Sequence, residues 1–248
     1  MGHEVLKESR PAFYALETGG WRDVVTLLHP PYTLMHLSFV CIGAALAAEI
    51  HYDRLMATLL AFFLAVGIAA HFLDELQGRP LHTTLSSSWL KWGAAVSLAA
   101  AAAIGLLGAI EVSPILLAFV AVGACAVVAY NLELADGILH GDLQFGLLWG
   151  AFPFLTANWV MTESFDAASL VGAAACFAIA MVQRSLSNPV RTLRRRVKAV
   201  EGRLVHNDGT EVVLSRSDLI EAPERGLRYL SLGMPLLAGA LIALRLLQ

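Results

Sequence analysis

The chain has 248 residues, of which 57% are hydrophobic and only 15% charged, and its mean hydropathy is +0.65. One soluble core cannot hide that much apolar surface, so the composition excludes a soluble globular enzyme and requires a polytopic membrane protein. A net charge of -3, with no glycine-rich phosphate loop and no nucleic-acid motif, sets aside nucleotide and nucleic-acid partners.

In chain order, the first residues lack the apolar core of a signal peptide and lack Ser or Thr at position 6, so neither cleavage nor myristoylation is expected. Residues 1–31 are polar and mixed in charge, with Trp21 to Leu28 reading as a short amphipathic helix at the interface before Pro30 and Pro31. Apolar runs follow at about 32–49, 55–75, 89–110, 113–131, 143–161, 167–185 and 227–247. Each approaches the ~20 residues that cross a bilayer. The expectation is an all-α, polytopic bundle of about seven transmembrane helices forming a single domain over 1–248. Cys41, Cys125 and Cys176 lie inside these runs without CxxC or zinc spacing and read as packing residues.

With the N-terminus in the cytoplasm, 15 of the 17 basic residues fall on the inner side, leaving only Arg54 and Arg245 outside. The expected location is the plasma (inner) membrane, with the C-terminus outside. The segment 186–226 is then a basic cytoplasmic loop. Within it GRLVHNDGTEVVL alternates about Asn207, Asp208 and Gly209, which predicts a small β-hairpin before the last helix, serving as a lid. Pro223 offers a helix start after it.

The chemistry concentrates in AHFLDELQGRPLHTT, Ala70 to Thr84, where a long apolar run ends in charge. Burying one Asp or Arg in hydrocarbon costs roughly 2.5–3.5 kcal/mol on insertion scales, so charges at a membrane rim usually have a job. His71, Asp74 and Glu75 stand at i, i+3 and i+4 and share a helix face, which makes them the candidate catalytic residues. The other segments rich in reactive side chains, YNLELADGILHGDLQ and QRSLSNPVRTLRRR, fall on the same side. A cytoplasmic cavity could therefore collect His36, His71, Asp74, Glu75, Tyr130, Asn131, Glu133, His140 and Asp142. The outer cluster Glu49, His51 and Asp53, beside Arg54, reads as a solvated turn.

The run HPPYTLMHLSFVCIGAAL, a second span ending in a polar motif followed by Arg79-Pro80-Leu81, and the pair Tyr130-Asn131 closing span four together resemble the UbiA superfamily of intramembrane prenyltransferases. The resemblance implies a helical bundle, usually of nine helices, that holds an isoprenyl diphosphate through magnesium at two Asp-rich motifs. The tail would lie in a lipid-facing groove. His71 and Asp74 take the Asp-x-x-Asp spacing of the first motif, and Gly78 stands where its last Asp is expected. The second motif should follow span six, where the chain reads Gln183-Arg184-Ser185-Leu186-Ser187. The lysine usual after Tyr-Asn is also absent. The implied substrate contacts are Arg79, Tyr130 and Asn131, with Arg184, Arg191 and Arg194 as guanidinium forks able to take phosphate directly.

The substituted residues open a second reading. Asp74 and Glu75 with His36, His71 and His140 form a mixed nitrogen and oxygen set that would suit zinc or iron in a metal-dependent hydrolase or oxidase. That reading requires His36, His71, Asp74 and His140 to converge. A third reading is a non-catalytic lipid-binding or assembly protein of the same fold. All three share the bilayer, and the first and third share an isoprenoid or other long-chain lipid as partner.

Overall fold

A computed structural model describes residues 10–247; residues 1–9 and Gln248, including the start of the N-terminal segment and position 6, lie outside the described residues. The chain forms an all-α membrane bundle with one small antiparallel sheet. The helices are α1 (Trp21–Leu27), α2 (Pro30–Ala45), α3 (Tyr52–Leu76), α4 (Ser87–Glu111) and α5 (Leu116–Asn131). After them come α6, continuous through Asp142–Phe145, Gly146–Ala151 and Phe152–Thr162, then α7 (Ala167–Arg195) and α8 (Arg216–Leu246). Four of them, α3, α4, α7 and α8, are long and apolar enough to cross a membrane. A fifth span results if α1 and α2, which meet at a 44° bend, act as one. Helices also occupy the remaining expected runs, but α2 and α5 have only 16 residues each, and Asn158 and Pro153 dilute the apolar run of α6.

The bend between α1 and α2 has a local cause. His29 sits in the left-handed region at φ 44°, and Pro30 and Pro31, which need no donor in a first helical turn, start α2 behind it. From there α2 runs through the middle of the bundle, packed on α8 and on Phe152–Thr162 of α6. Its approach to α6 is close because Gly43 has no side chain: a Cβ there would run into the Phe154 carbonyl oxygen. Asn158 crosses the same seam, donating to the Gly43 carbonyl at 3.0 Å. Met35, Phe39 and Phe154 are fully buried around it.

Two helices are locally unwound to π-helix, α3 over Phe63–Ala70 and α6 over Gly146–Ala151. Such turns are rare and concentrate at functional sites. The loop after α3 needs special support because Arg79 and His82 both hold positive φ, at 54° and 57°. Glu75 supplies it, accepting hydrogen bonds from Leu81 N, Thr83 N and Thr83 Oγ1 at 3.0, 2.9 and 2.8 Å. Asp23 of α1 does the same for Thr84, at 2.8 Å from N and 2.6 Å from Oγ1.

Three expectations change in the 186–226 segment. First, α7 does not stop in the membrane but continues through Pro189 to Arg195, so the first part of the expected basic loop is helical. Second, α8 begins at Arg216 rather than Pro223, because Ser215 and Asp218 form a reciprocal capping box that satisfies the first amides. Third, the hairpin is present, with β1 (Arg203–Val205) paired to β2 (Glu211–Val213) and Gly209 at φ 83° in its turn, but every residue of both strands is exposed. The hairpin therefore covers no cavity and is not a lid.

Candidate functional site

Two regions of different character meet inside the bundle. One is a cavity of about 420 Å³ between α3, α4, α5 and α6, lined almost wholly by apolar side chains such as Leu98, Phe119 and Val120. It begins among Asp53, Arg54 and Glu111 at one end of the bundle and reaches Val66, Val127 and Trp149 midway. The other, a chamber of clustered polar and aromatic side chains, begins on the far side of Trp149, where Tyr130 stands edge-on to the indole at 5.4 Å and His36 bonds the Trp149 carbonyl at 2.8 Å.

This second region is polar and is built from six elements. The N-terminal segment brings Tyr14, the α1–α2 bend brings His29 and Tyr32, and the end of α3 brings His71 and Asp74. Their rings stack in sequence: Tyr14 lies 5.4 Å from Tyr32 and 5.3 Å from His29, and His29 lies 4.0 Å from His71. Tyr130, at the end of α5, stacks at 4.4 Å on His140 from the 3-10 turn Ile138–His140. The sixth element is the extension of α7, where Arg184, Asn188, Arg191 and Arg195 recur at helical spacing along one stripe. At the lower end of that stripe Arg184 lies over Phe145 at 5.1 Å, and at the upper end Arg195 donates to the Pro11 carbonyl at 3.3 Å. Arg191 lies between them, and the guanidinium groups acting on Asp74 are those of Arg191 and Arg195.

Several of these groups have no partner of their own. Among the described residues no hydrogen bond or ion pair involves the side chain of Asp74 or of Arg191, and both are half-buried. The Tyr130 hydroxyl, His29 Nε2 and Gln183 Oε1 are buried and unpartnered. Native proteins satisfy nearly all buried polar groups, so a cluster of exceptions marks a place where something else binds. Tyr14, outside the spanning helices, has its phenol pushed well above the ordinary range by burial and by neighbouring Tyr32, with Arg195 and Arg191 opposing. It stays a neutral hydrogen-bonding group.

No protein-family model, no curated protein and no solved structure matches this chain. The roles of the residues therefore rest on their geometry.

The structure divides the residues singled out by sequence. His71, Asp74, Tyr130, His140 and Arg191 line the polar chamber. Glu75 does not join them: it is 1% exposed and its carboxylate is taken up by the loop. Arg79 holds the same loop, donating to the Leu85 carbonyl at 2.6 Å and to Ser87 Oγ at 2.8 Å rather than to Asp74. Asn131 donates to the Val127 carbonyl one turn back. Arg184 is paired with Asp142 at 2.8 Å, and Arg194 forms a buried two-point pair with Glu224 at 2.8 and 3.1 Å, joining α7 to α8. Outside the chamber, Arg54 donates to the Val160 carbonyl at 2.9 Å, so the turn with Glu49, His51 and Asp53 is tied to α6. Sequence reasoning missed His29, whose only signal was its place before Pro30-Pro31, and Arg195, which lay in a run read as loop.

The metal expectation fails on the donor set. Among the described residues no group of three or more His, Cys, Asp and Glu side chains could hold a metal ion. The rings of His36, His71 and His140 each place Nδ1 on a backbone carbonyl, of Trp149, Gly67 and Tyr130 respectively. A carbonyl only accepts, so Nδ1 carries the proton and Nε2 keeps its lone pair. The rings are chemically fit to be ligands but are anchored at separate places. Magnesium fits no better, because it needs oxygen ligands and the chamber offers a single free carboxylate facing two guanidinium groups.

Proposed function

We propose that this protein binds a long-chain isoprenoid or similar lipid inside the membrane and acts on it as a UbiA-like prenyltransferase, with the tail in the apolar cavity and the reactive head in the polar chamber. The observation that carries this reading is the junction at Trp149, where an apolar cavity ends against a chamber of unpartnered polar groups. Pockets that bind amphiphiles combine apolar walls with a few placed polar groups in this way. The basic-residue asymmetry supports a chamber on the cytoplasmic side of the plasma membrane, in a proposed bundle of seven spans with the N-terminus inside and the C-terminus outside.

The reaction would divide among the residues as follows. Ionisation breaks the carbon–oxygen bond of the allylic ester, and the electron pair leaves with the phosphate. The π faces of Trp149, Phe145 and Tyr130, clustered at the junction, stabilise the allylic cation, as aromatic faces do within about 6 Å. The acceptor attacks the cation and its proton passes to the free Nε2 of His71, whose tautomer is set by the Gly67 carbonyl. Asp74 stabilises the resulting imidazolium from one helical turn away.

Lipid carried through purification and identified by mass spectrometry tests the reading. A polyprenyl species supports it, and a bound lipid without an isoprenoid chain refutes it. The chain's single acidic motif favours one other reading, a lipid carrier of the same fold, which would bind the same lipid without turning it over.

A further inference from the structure

We infer that the anionic head of the ligand is a phosphate or diphosphate held directly by the guanidinium groups of Arg191 and Arg195, with the Tyr130 hydroxyl and His29 Nε2 as neutral partners and no divalent cation between them. The tail part rests on the lipid reading above; the anion site does not.

The charges require an anion here. Arg191 and Arg195 are one turn apart on α7, where like charges at i and i+4 oppose the helix. Both are half-buried, and the Arg191 side chain has neither a hydrogen bond nor an ion pair among the described residues. The neighbouring arginines are already matched, Arg184 by Asp142 and Arg194 by Glu224. Among the described residues Asp74 is the one free carboxylate acting on the Arg191–Arg195 pair; Asp142, which also feels Arg191, is already bonded to Arg184, so two guanidinium groups face one unpaired carboxylate. An unpaired charge away from water is costly, and planar guanidinium forks match phosphate oxygens two at a time.

The neutral groups fit the same ligand. The Tyr130 hydroxyl is a donor without an acceptor, and it lies in the field of Arg184, Arg191 and Asp74. His29 Nε2 is buried and unpartnered 4.0 Å, ring to ring, from His71. In its Nε2-protonated tautomer it donates as Tyr130 does. Arg191 is within electrostatic range of Arg195, His29 and Tyr130, so the four donors share the neighbourhood of one acceptor-only group. The same geometry explains why the position expected for a second acidic motif carries arginine: α7 supplies the counter-charge that a bound cation would otherwise supply.

Titration calorimetry on the full chain in detergent, with pyrophosphate as probe, tests this. We expect binding in EDTA that added magnesium does not strengthen, and at least about tenfold weaker binding in Arg191→Gln, the loss typical of one charge-assisted contact pair. The ligand-free Arg191→Gln protein should melt at or above the wild-type temperature, since the substitution removes repulsion and no contact. Pyrophosphate binding that requires magnesium, that ignores Arg191→Gln, or that does not occur overturns the inference. Retention of radiolabelled geranylgeraniol, which has the tail and no phosphate, separates the two claims. If it binds while pyrophosphate does not, the anion site is wrong and the lipid reading stands; if only pyrophosphate binds, the reverse holds. Geranylgeranyl diphosphate binding tighter than pyrophosphate identifies the anion as a lipid head rather than a free phosphate.

Discussion

Asp74 and Glu75 are neighbours in sequence with opposite employment. One residue turns a helix by about 100°, which is enough to point Asp74 into the chamber and Glu75 into the loop that follows. Glu75→Ala strands two amides and a hydroxyl in a buried place, and hydrogen bonds to a charged group are worth about 1.5–3 kcal/mol each before compensation. The expected result is a large fall in melting temperature, with Glu75→Gln intermediate. Asp74→Asn breaks no hydrogen bond and should leave the melting temperature within about 2 °C of wild type, a surface-like effect. Turnover of the co-purified lipid should nevertheless fall by at least about a hundredfold. Thermal denaturation beside an activity assay checks both, and a wild-type turnover in Asp74→Asn removes this residue from the chemistry. The sequence could place His71, Asp74 and Glu75 on one stripe, since i, i+3 and i+4 are adjacent. It could not say which edge of that stripe faced the chamber, because that depends on the rotation of α3 against its neighbours.

At the scale of elements, hydropathy located the helices well and their ends poorly. Apolar runs mark where a helix is buried in lipid, so α7 and α8 were cut short where their sequences turn polar although the hydrogen bonding continues. The missing stretch of α7 carries Arg191 and Arg195; Arg191 was still legible as a phosphate fork, but without the helix its partner one turn on, Arg195, was not. Close helix contacts were legible only as a richness in small residues, without their pairing. The α2–α6 seam shows what was hidden: Gly43→Ala must push Phe154 away, and overpacking of this kind costs about 1–3 kcal/mol. Gly43→Ala should lower the melting temperature by several degrees, whereas Gly239→Ala, on α8 with open space around it, should leave it unchanged or raised.

For the whole molecule the strongest sequence signal was the distribution of basic residues, and it bears on orientation, a property of the chain in its bilayer. Single cysteines at Asn207 and Leu247, introduced after Cys41, Cys125 and Cys176 are replaced, test it in intact cells. The cysteine at Leu247 should react with an impermeant reagent from outside and the one at Asn207 only after lysis. The reverse pattern would put the chamber on the outer face. The same end-to-end asymmetry separates the bundle into an arginine-rich end with the polar chamber and an end where Arg245 of α8 bonds the Ala47 and Ala48 carbonyls, fastening the last helix to the α2–α3 turn.

The π-helical stretch of α3 has a consequence for how this chain can change over generations. A π turn holds one more residue than the α turn it replaces, so Phe63–Ala70 is an insertion absorbed without breaking the helix. Deleting a single residue there would close the wide turn to regular α-helix and leave His71, Asp74 and Glu75 facing nearly where they do. The same deletion in a regular turn, such as the one between His71 and Asp74, would rotate everything beyond it by about 100°. A gap inside a helix is ordinarily read as damage. In this stretch one gap would be almost silent, so descendants could differ in length between Phe63 and Ala70 while keeping the same site, and the residues beyond Ala70 would be the ones held to a strict count.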